Sequence, residues 1–418
     1  MDKYLEADVL IIGAGAAGLA AAITSDRLGN KTILVEKSAM IGGQATLAQV
    51  GTICGVHARE TFSTEFSGVF ANNFLDTLAA INRNSTLRKH FNGLGYVPYS
   101  YQDFDSVGIR LLKNSNVNLH LHSTVYDVKF ENSEIESISF LAGTDRTEVR
   151  CSTVIDASGE GLVCKLADRE CMKDDSYQAP AYVFKISNVK FDLGISEKDV
   201  NMVLMKALRD LEVEQSIRVG IGKISVVPGS MSGHSVSIKF AYPFVSKEVY
   251  NERTEFELFG RESVARIFEG LKNSVEMFKQ SEISMLASQM GIRSSSRSKG
   301  LYTLEVDDVL NCRKFQDSVA NGFWPTEYWD GGNKPTMKFF TAGDFYQIPA
   351  RSLMSVDFNN LFVCGRGISA DQEALSSARV IGTCFQSGVA SAYLANGFRS
   401  KDEVSKTSNR IRTEENLG

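Results

Sequence analysis

The first 37 residues constrain the fold more than any other stretch of the chain. Asp8-Val-Leu-Ile-Ile12 is a short apolar run closed by glycine, and Gly13-Ala-Gly-Ala-Ala-Gly18 follows at once. Residues 16–28 are alanine-rich and helical in character, Gly29-Asn30 ends that helix, and Lys31-Thr-Ile-Leu-Val-Glu-Lys37 is a second strand-like run. Strand, glycine turn, helix and parallel strand make a right-handed β-α-β unit, so the expected class is α/β with a Rossmann-like domain. In that setting the glycines have separate tasks. Gly13 permits the tight turn, Gly15 lets backbone approach a pyrophosphate beside Ala16 and Ala17, and Gly18 lets the helix pack on the strand. The helix N-terminus adds free N–H groups and partial positive charge. Glu36 falls at the end of the second strand, with Lys37 beside it, where a carboxylate accepts hydrogen bonds from ribose hydroxyls and repels a 2′-phosphate. The unit therefore predicts a dinucleotide site that disfavours NADP.

Ile41-Gly42-Gly43-Gln44 places a second side-chain-free backbone near the phosphates, and Leu361-Phe-Val-Cys-Gly365-Arg366 ends another buried strand with glycine. The stretch after Arg379 is again rich in small residues, and Arg379 is counted with the cofactor-binding residues. An extended FAD needs several such close approaches, whereas NAD on one domain does not, so FAD is the expected cofactor.

At 418 residues the chain exceeds a single core, and two domains are expected. A formal charge of -5 leaves no basis for a polyanion-binding surface, so no nucleic-acid partner is expected. The seven cysteines form no CxxC pair, which predicts neither disulfides nor zinc and points to a reducing, cytoplasmic compartment. The apolar run 9–23 is short for a membrane span, is divided by glycines, and follows Asp2, Glu6 and Asp8 with only Lys3 opposing them. Neither a leader nor a membrane partner is expected.

Short β-type segments at 117–121, 124–130, 135–140 and 152–155 suggest a hairpin-rich excursion that returns to the sheet. Residues 172–334 mix strand-like runs (181–186, 235–243) with helical ones (200–211, 257–278) and carry no second phosphate loop. The expected division is an FAD-binding domain from 1–171 and 335–399, an inserted α+β substrate domain at 172–334, and a disordered polar tail at 400–418.

These motifs resemble the FAD-dependent oxidoreductases of the glutathione-reductase-like two-dinucleotide-fold flavoproteins. The residues that carry the resemblance are the glycine turn with Glu36, Gly42-Gly43-Gln-Ala-Thr46, Val154-Ile-Asp-Ala-Ser-Gly-Glu-Gly161, Ile348-Pro-Ala-Arg-Ser-Leu353, and Leu361-Phe-Val-Cys-Gly-Arg-Gly-Ile-Ser-Ala-Asp371 running into Arg379-Val-Ile-Gly-Thr-Cys384. The resemblance implies that Ala157 and Gly159 return the chain to the FAD phosphates and that Val125 meets the adenine. It also implies that a helix near Gly382 and Thr383 points its amides at the flavin pyrimidine ring. Gly365 and Arg366 replace the Gly-Asp with which the wider superfamily usually closes its last strand.

Candidates for the chemistry are Cys54 and His57 beyond the double glycine, with His57 a base near neutral pH. Arg351, with Arg293 and Arg297, is suited to a substrate carboxylate. Glu327, among Trp324, Tyr328 and Trp329, is a pocket wall or an acid/base group. Packing and surface ion pairs are the plain alternatives for all of these. His120 and His122 share one strand face without metal-ligand spacing, so no metal is expected. The expected function is oxidation of a small organic substrate by hydride transfer to flavin N5, with reoxidation by oxygen or another acceptor. Flavin-dependent monooxygenation with an external reductant, or an FAD-bearing partner of a larger complex, are the alternatives.

Overall fold

Strand β1 (Lys3–Ile12), helix α1 (Ala16–Arg27) and strand β2 (Thr32–Val35) form the expected unit in the computed structural model, which describes residues 3–214, 221–243, 252–331, 334–397 and 403–418. The two strands pair in parallel from Val9↔Thr32 to Ile12↔Val35, and every residue of β2 is buried, as an interior parallel strand requires. Asn118–His120 extends the sheet in parallel beyond β2.

On the other side of β1 lies the strand Asp145–Asp156, parallel to it from Lys3↔Thr147 to Ile12↔Asp156. On its other edge this 12-residue strand serves two further neighbours. Its first half pairs antiparallel with Glu134–Ala142, which pairs in turn with Ser123–Glu131; its second half pairs in parallel with Leu361–Val363. The excursion and the return are thus one long strand, and residues 145–151 belong to it as well as the expected 152–155. The loop ends after β1, β2 and Asp156 therefore gather at one edge of the sheet.

Behind that edge α1 packs on the helix Ile381–Gly397. The two approach at glycine: a Cβ on Gly388 would stand 2.1 Å from the Ala17 carbonyl oxygen. The sequence-expected helix from residue 378 is divided by Arg379 and Val380 into Gln372–Ala378 and Ile381–Gly397. Val69–Ile81 and Tyr101–Lys113 are helices that the sequence reading did not assign. Phe70, Phe74, Phe104 and Phe385 meet between them and the Ile381–Gly397 helix, with ring centroids 4.8–6.3 Å apart.

A second sheet has the order Ile224–Val226, Val236–Ala241, Ala181–Ser187, Glu282–Leu286, all antiparallel. Tyr182, Phe184, Ile224, Val226, Ile238 and Phe240 share a core with the helices Glu197–Glu214 and Arg253–Ser274. Because strand side chains alternate, the opposite face presents Val183, Ser225 and Lys239, which sit side by side across three strands.

The tail corrects an expectation. Glu403–Glu414 is a helix with Val404, Thr407, Ser408 and Ile411 buried, and buried Glu415 bonds Arg27 at 2.5 Å and the Val69 N–H at 3.1 Å. Residues 400–402 of that tail lie outside the described residues. Among the described residues no helix is long and apolar enough to cross a membrane, and all seven cysteines are free thiols.

Candidate functional site

One cavity of about 1310 Å³ runs from the glycine turn to the open face of the second sheet. Single-ligand sites occupy roughly 300–1,000 Å³, so this one has room for a dinucleotide and a further small molecule.

At the turn, main chain forms the wall. Gly13 has φ +97°, and a Cβ there would lie 2.8 Å from the Ala157 oxygen; a Cβ on Gly18 would lie 1.8 Å from the Gly13 oxygen. Gly15 differs, because a Cβ on it would enter open space in the cavity. Gly42 N donates to the Ala14 oxygen at 2.7 Å, and a Cβ on Gly43 would come within 3.1 Å of Gly15 Cα, so the two glycine turns meet. Glu36, 6% exposed, accepts from the Ala14 N–H at 2.7 Å and from Ser38 N and Oγ at 2.9 and 2.6 Å. Those bonds aim one carboxylate between the turn and the mouth. A backbone cradle with open space at Gly15 and a fixed acid beside it fits the pyrophosphate and ribose of FAD.

Lys37, Gln44, Val125, Ala157, Gly159, Gly365 and Arg366 line the same cavity with Ala16 and Ala17. Lys37 lies 3.7 Å from Glu160, which also pairs with Arg253. Gln44 Oε1 accepts from the Ile292 N–H at 2.9 Å. The Arg366 guanidinium donates to the Ile292 oxygen and lies over Gly159, where a Cβ would stand 3.0 Å from it.

At the far end the wall is charged. Glu327 is anchored by two indoles, Oε2 accepting from Trp324 Nε1 at 2.9 Å and Oε1 from Trp329 Nε1 at 3.1 Å. Around it stand Arg379, Arg293 and Lys239. Burial pushes the Glu327 carboxyl up, but Arg379, the Trp324 N–H, Lys239 and Arg293 outweigh it and hold the carboxyl below its usual range. Burial and the neighbouring Arg379 bring Arg293 down to about 9, and burial brings Arg379 to about 10 against the pull of Glu327. Arg293 donates to the Ala179 oxygen and lies 4.3 Å from the Trp329 ring centroid. Arg379 Nη2 donates to Gln178 at 3.2 Å.

Cys54 and Glu327 line the cavity as the sequence suggested, but Cys54 stays a thiol, its pKa pushed up to about 12 by burial and by Glu327. His57 does not line it. Gly55, at φ +79°, turns the chain after Thr52–Cys54, and His57 ends behind the strand against Gly95, 7% exposed and lowered to about 4 by burial. A base near neutral pH is therefore not found there. Arg351 is also elsewhere, its Nε and Nη2 on Asp317 at 2.9 and 3.3 Å. Arg297 is fully buried on Asp174 at 2.7 and 2.8 Å, so Arg293 alone of the three arginines reaches the cavity. Gly382 and Thr383 face Gly55 rather than the cavity, which the helix instead meets through Ile381 and Cys384.

Lys239 and Lys223 were missed by sequence reasoning. The signal was present in Val236-Ser-Ile-Lys-Phe-Ala241, whose alternation is clean. Nothing in it tells whether the polar face meets solvent or a cavity.

The structure is similar to the anhydrotetracycline hydroxylase of Streptomyces rimosus (TM-score 0.51, 11% identity, 98% of this chain and 66% of that one). It is equally similar to a myxobacterial chondrochloren halogenase described as FAD-dependent (TM-score 0.51, 13% identity, 98% and 80%). A geranylgeranyl bacteriochlorophyll reductase-like protein of Thermoplasma acidophilum matches at TM-score 0.49 and 14% identity over 99% and 84%. At such identities the two matches at TM-score 0.51 are likenesses of fold alone. No curated protein matches the chain. The model of the FAD dependent oxidoreductase family matches residues 8–406, nearly the whole sequence, and the chain belongs to that family.

Proposed function

We propose that the chain oxidises a small organic substrate held at the charged end of the cavity, with FAD lying between that end and the glycine turn. The observation that carries this is the continuity of a single cavity from Gly13 and Gly15 to Glu327 and Lys239. In this reading the backbone at Gly13, Gly15 and Gly43 takes the pyrophosphate, Glu36 the adenosine ribose, and Val125 the adenine. Ala157, Gly159, Gly365 and Arg366 line the middle of the molecule. Bound FAD supplies two-electron acceptor chemistry at a substrate carbon and passes the electrons to oxygen or another acceptor.

The protein's part is placement and charge. The helix Ile381–Gly397 turns its N-terminus to the cavity at Ile381 and Cys384, where its dipole favours negative charge. Glu327, ionised and tied to two indoles, acts as a fixed charge that positions Arg379 rather than as a proton carrier. Cys54 is a neutral wall. We assign 1–171 and 335–399 to the FAD domain and 172–334 to the substrate domain, in the manner of the glutathione-reductase-like flavoproteins. Flavin-dependent monooxygenation is the second reading, hydroxylation being the activity named for the Streptomyces rimosus protein of the same fold.

The test is an absorbance spectrum of the purified protein, then anaerobic photoreduction and readmission of air. Bands near roughly 370 and 450 nm that bleach and promptly return are expected for bound flavin that uses oxygen. A protein that takes up no FAD, alone or on addition, overturns the reading; oxygen uptake only with an added reductant and substrate favours the second.

A further inference from the structure

The charged end of the cavity holds more positive than negative charge, and the excess is unpaired. Lys239, Arg293 and Arg379 surround one carboxylate, Glu327, and Lys223 lies on the same sheet face. Both Glu327 oxygens are occupied by tryptophan N–H groups, and none of the three cations pairs with it directly through side chains. Lys239 Nζ makes no hydrogen bond or ion pair with any described residue. Among the described residues, buried Arg379 Nε has no partner, and the adjoining Gln178, 2% exposed, has an unpartnered amide nitrogen. Unpaired donors of this kind cost free energy unless something else satisfies them, and a charged donor costs more than a neutral one.

From this arrangement we infer that the substrate is an organic carboxylate, its carboxylate bound by Arg293, Arg379 and Lys239 and its apolar body resting on Trp324 and Trp329. The inference rests on the proposed function, since it fills the space left beside FAD. Guanidinium groups present parallel donors that match the two oxygens of a carboxylate. The ammonium of Lys239, cross-strand from Val183 and Ser225, approaches from the opposite wall. Glu327 sets the affinity: it keeps the cations in place without occupying their donors. The pyrophosphate of FAD does not account for them, because its cradle at Gly13 and Gly15 is uncharged main chain at the other end.

The FAD-loaded protein is titrated with acetate, benzoate, succinate and inorganic phosphate, and with benzamide as the neutral match to benzoate. Flavin absorbance and melting temperature are the readouts. At least one carboxylate should perturb the flavin spectrum and raise the melting temperature where benzamide does not. Arg293→Met and Lys239→Met should each weaken that carboxylate about tenfold or more while still binding FAD. Arg293→Lys, which keeps the charge, is the control for a folding defect and should retain part of the affinity. Loss of FAD from the unmodified protein defeats the proposed function itself. With FAD bound, equal effects of benzoate and benzamide, preference for phosphate over every carboxylate, or no response to any anion overturns the carboxylate assignment alone. Variants that lose FAD affinity while keeping carboxylate affinity also overturn it, since the cations would then serve the cofactor.

Discussion

At one end of the cavity the wall is main chain at Gly13, Gly15 and Gly43; at the other it is Arg293, Arg379, Lys239 and Glu327. The glycine end is shaped by what cannot fit: a side chain on Gly18 would meet the Gly13 oxygen at 1.8 Å. The charged end is shaped by what attracts, and its side chains come from strands and turns far apart in the chain. A wall of backbone tolerates almost no substitution but is indifferent to pH. A wall of charges accepts isosteric changes of shape and responds to every change of charge.

The largest effect expected from this difference is at Gly18. Gly18→Val forces backbone apart and should cost about 3 kcal/mol or more, seen as loss of melting temperature and of FAD together. Gly15→Ala tests the same end from the other side. Its Cβ enters open space and its φ of -66° suits alanine, so melting without FAD should be unchanged while FAD affinity falls. A Gly15→Ala protein that binds FAD normally breaks the account of a backbone cradle.

Next in size is a pH effect that belongs to neither end. His57 is held neutral, its pKa depressed by burial from 6.5 to about 4. Between those values the unfolded chain binds more protons, so stability rises with pH. The contribution is fully present above about pH 6.5 and is lost as pH falls towards 4, up to about 3 kcal/mol. Denaturant unfolding of His57→Phe across this window should show a shallower slope than the unmodified protein. An unchanged slope would return His57 to the list of accessible bases.

Glu327→Gln sharpens the comparison at the charged end. The amide can keep one indole bond but removes the negative charge set among three cations. Stability without ligand should fall by about 2 kcal/mol, less than for a fully buried pair because the cavity is open to water. Carboxylate affinity, measured by the same titration as above, should rise. A fall in both would mean that the placement of the cations by Glu327 outweighs its competition with the ligand for their charge. The smallest effect is at Arg351, whose half-exposed guanidinium pairs with the largely buried Asp317 and contributes about 1 kcal/mol. Arg351→Ala should leave FAD and carboxylate titrations unchanged, which separates it from Arg293.

How far the sequence reaches can be seen residue by residue. The β-α-β unit, Glu36 and the return strand ending at Asp156 were legible because each depends on neighbours a few residues away, through periodicity and the demand for glycine at a tight turn. The helix Tyr101–Lys113 was legible in the residues themselves, since Ser100 caps it by accepting from Asp103 N and Phe104, Val107, Gly108 and Leu112 share one buried face at helical spacing. Cys54 and His57 looked equivalent in sequence and were separated by the positive φ of Gly55.

The carboxyl-terminal helix and the charged end lie at the limit of that reach. Glu403–Glu414 carries few apolar residues, and it docks because Val404, Ile411 and Leu417 join the main core while Glu415 meets Arg27 from the other end of the chain. Lys239 joins Glu327 and Arg379 only because the second sheet turns its polar face inward over the cavity. By itself the sequence determined the dinucleotide fold and its glycine turn, because local sterics and periodicity decide those. Only the tertiary structure decided which arginine serves the cavity and which polar strand face meets it, because charges act through space and the distances between them are set by long-range pairing.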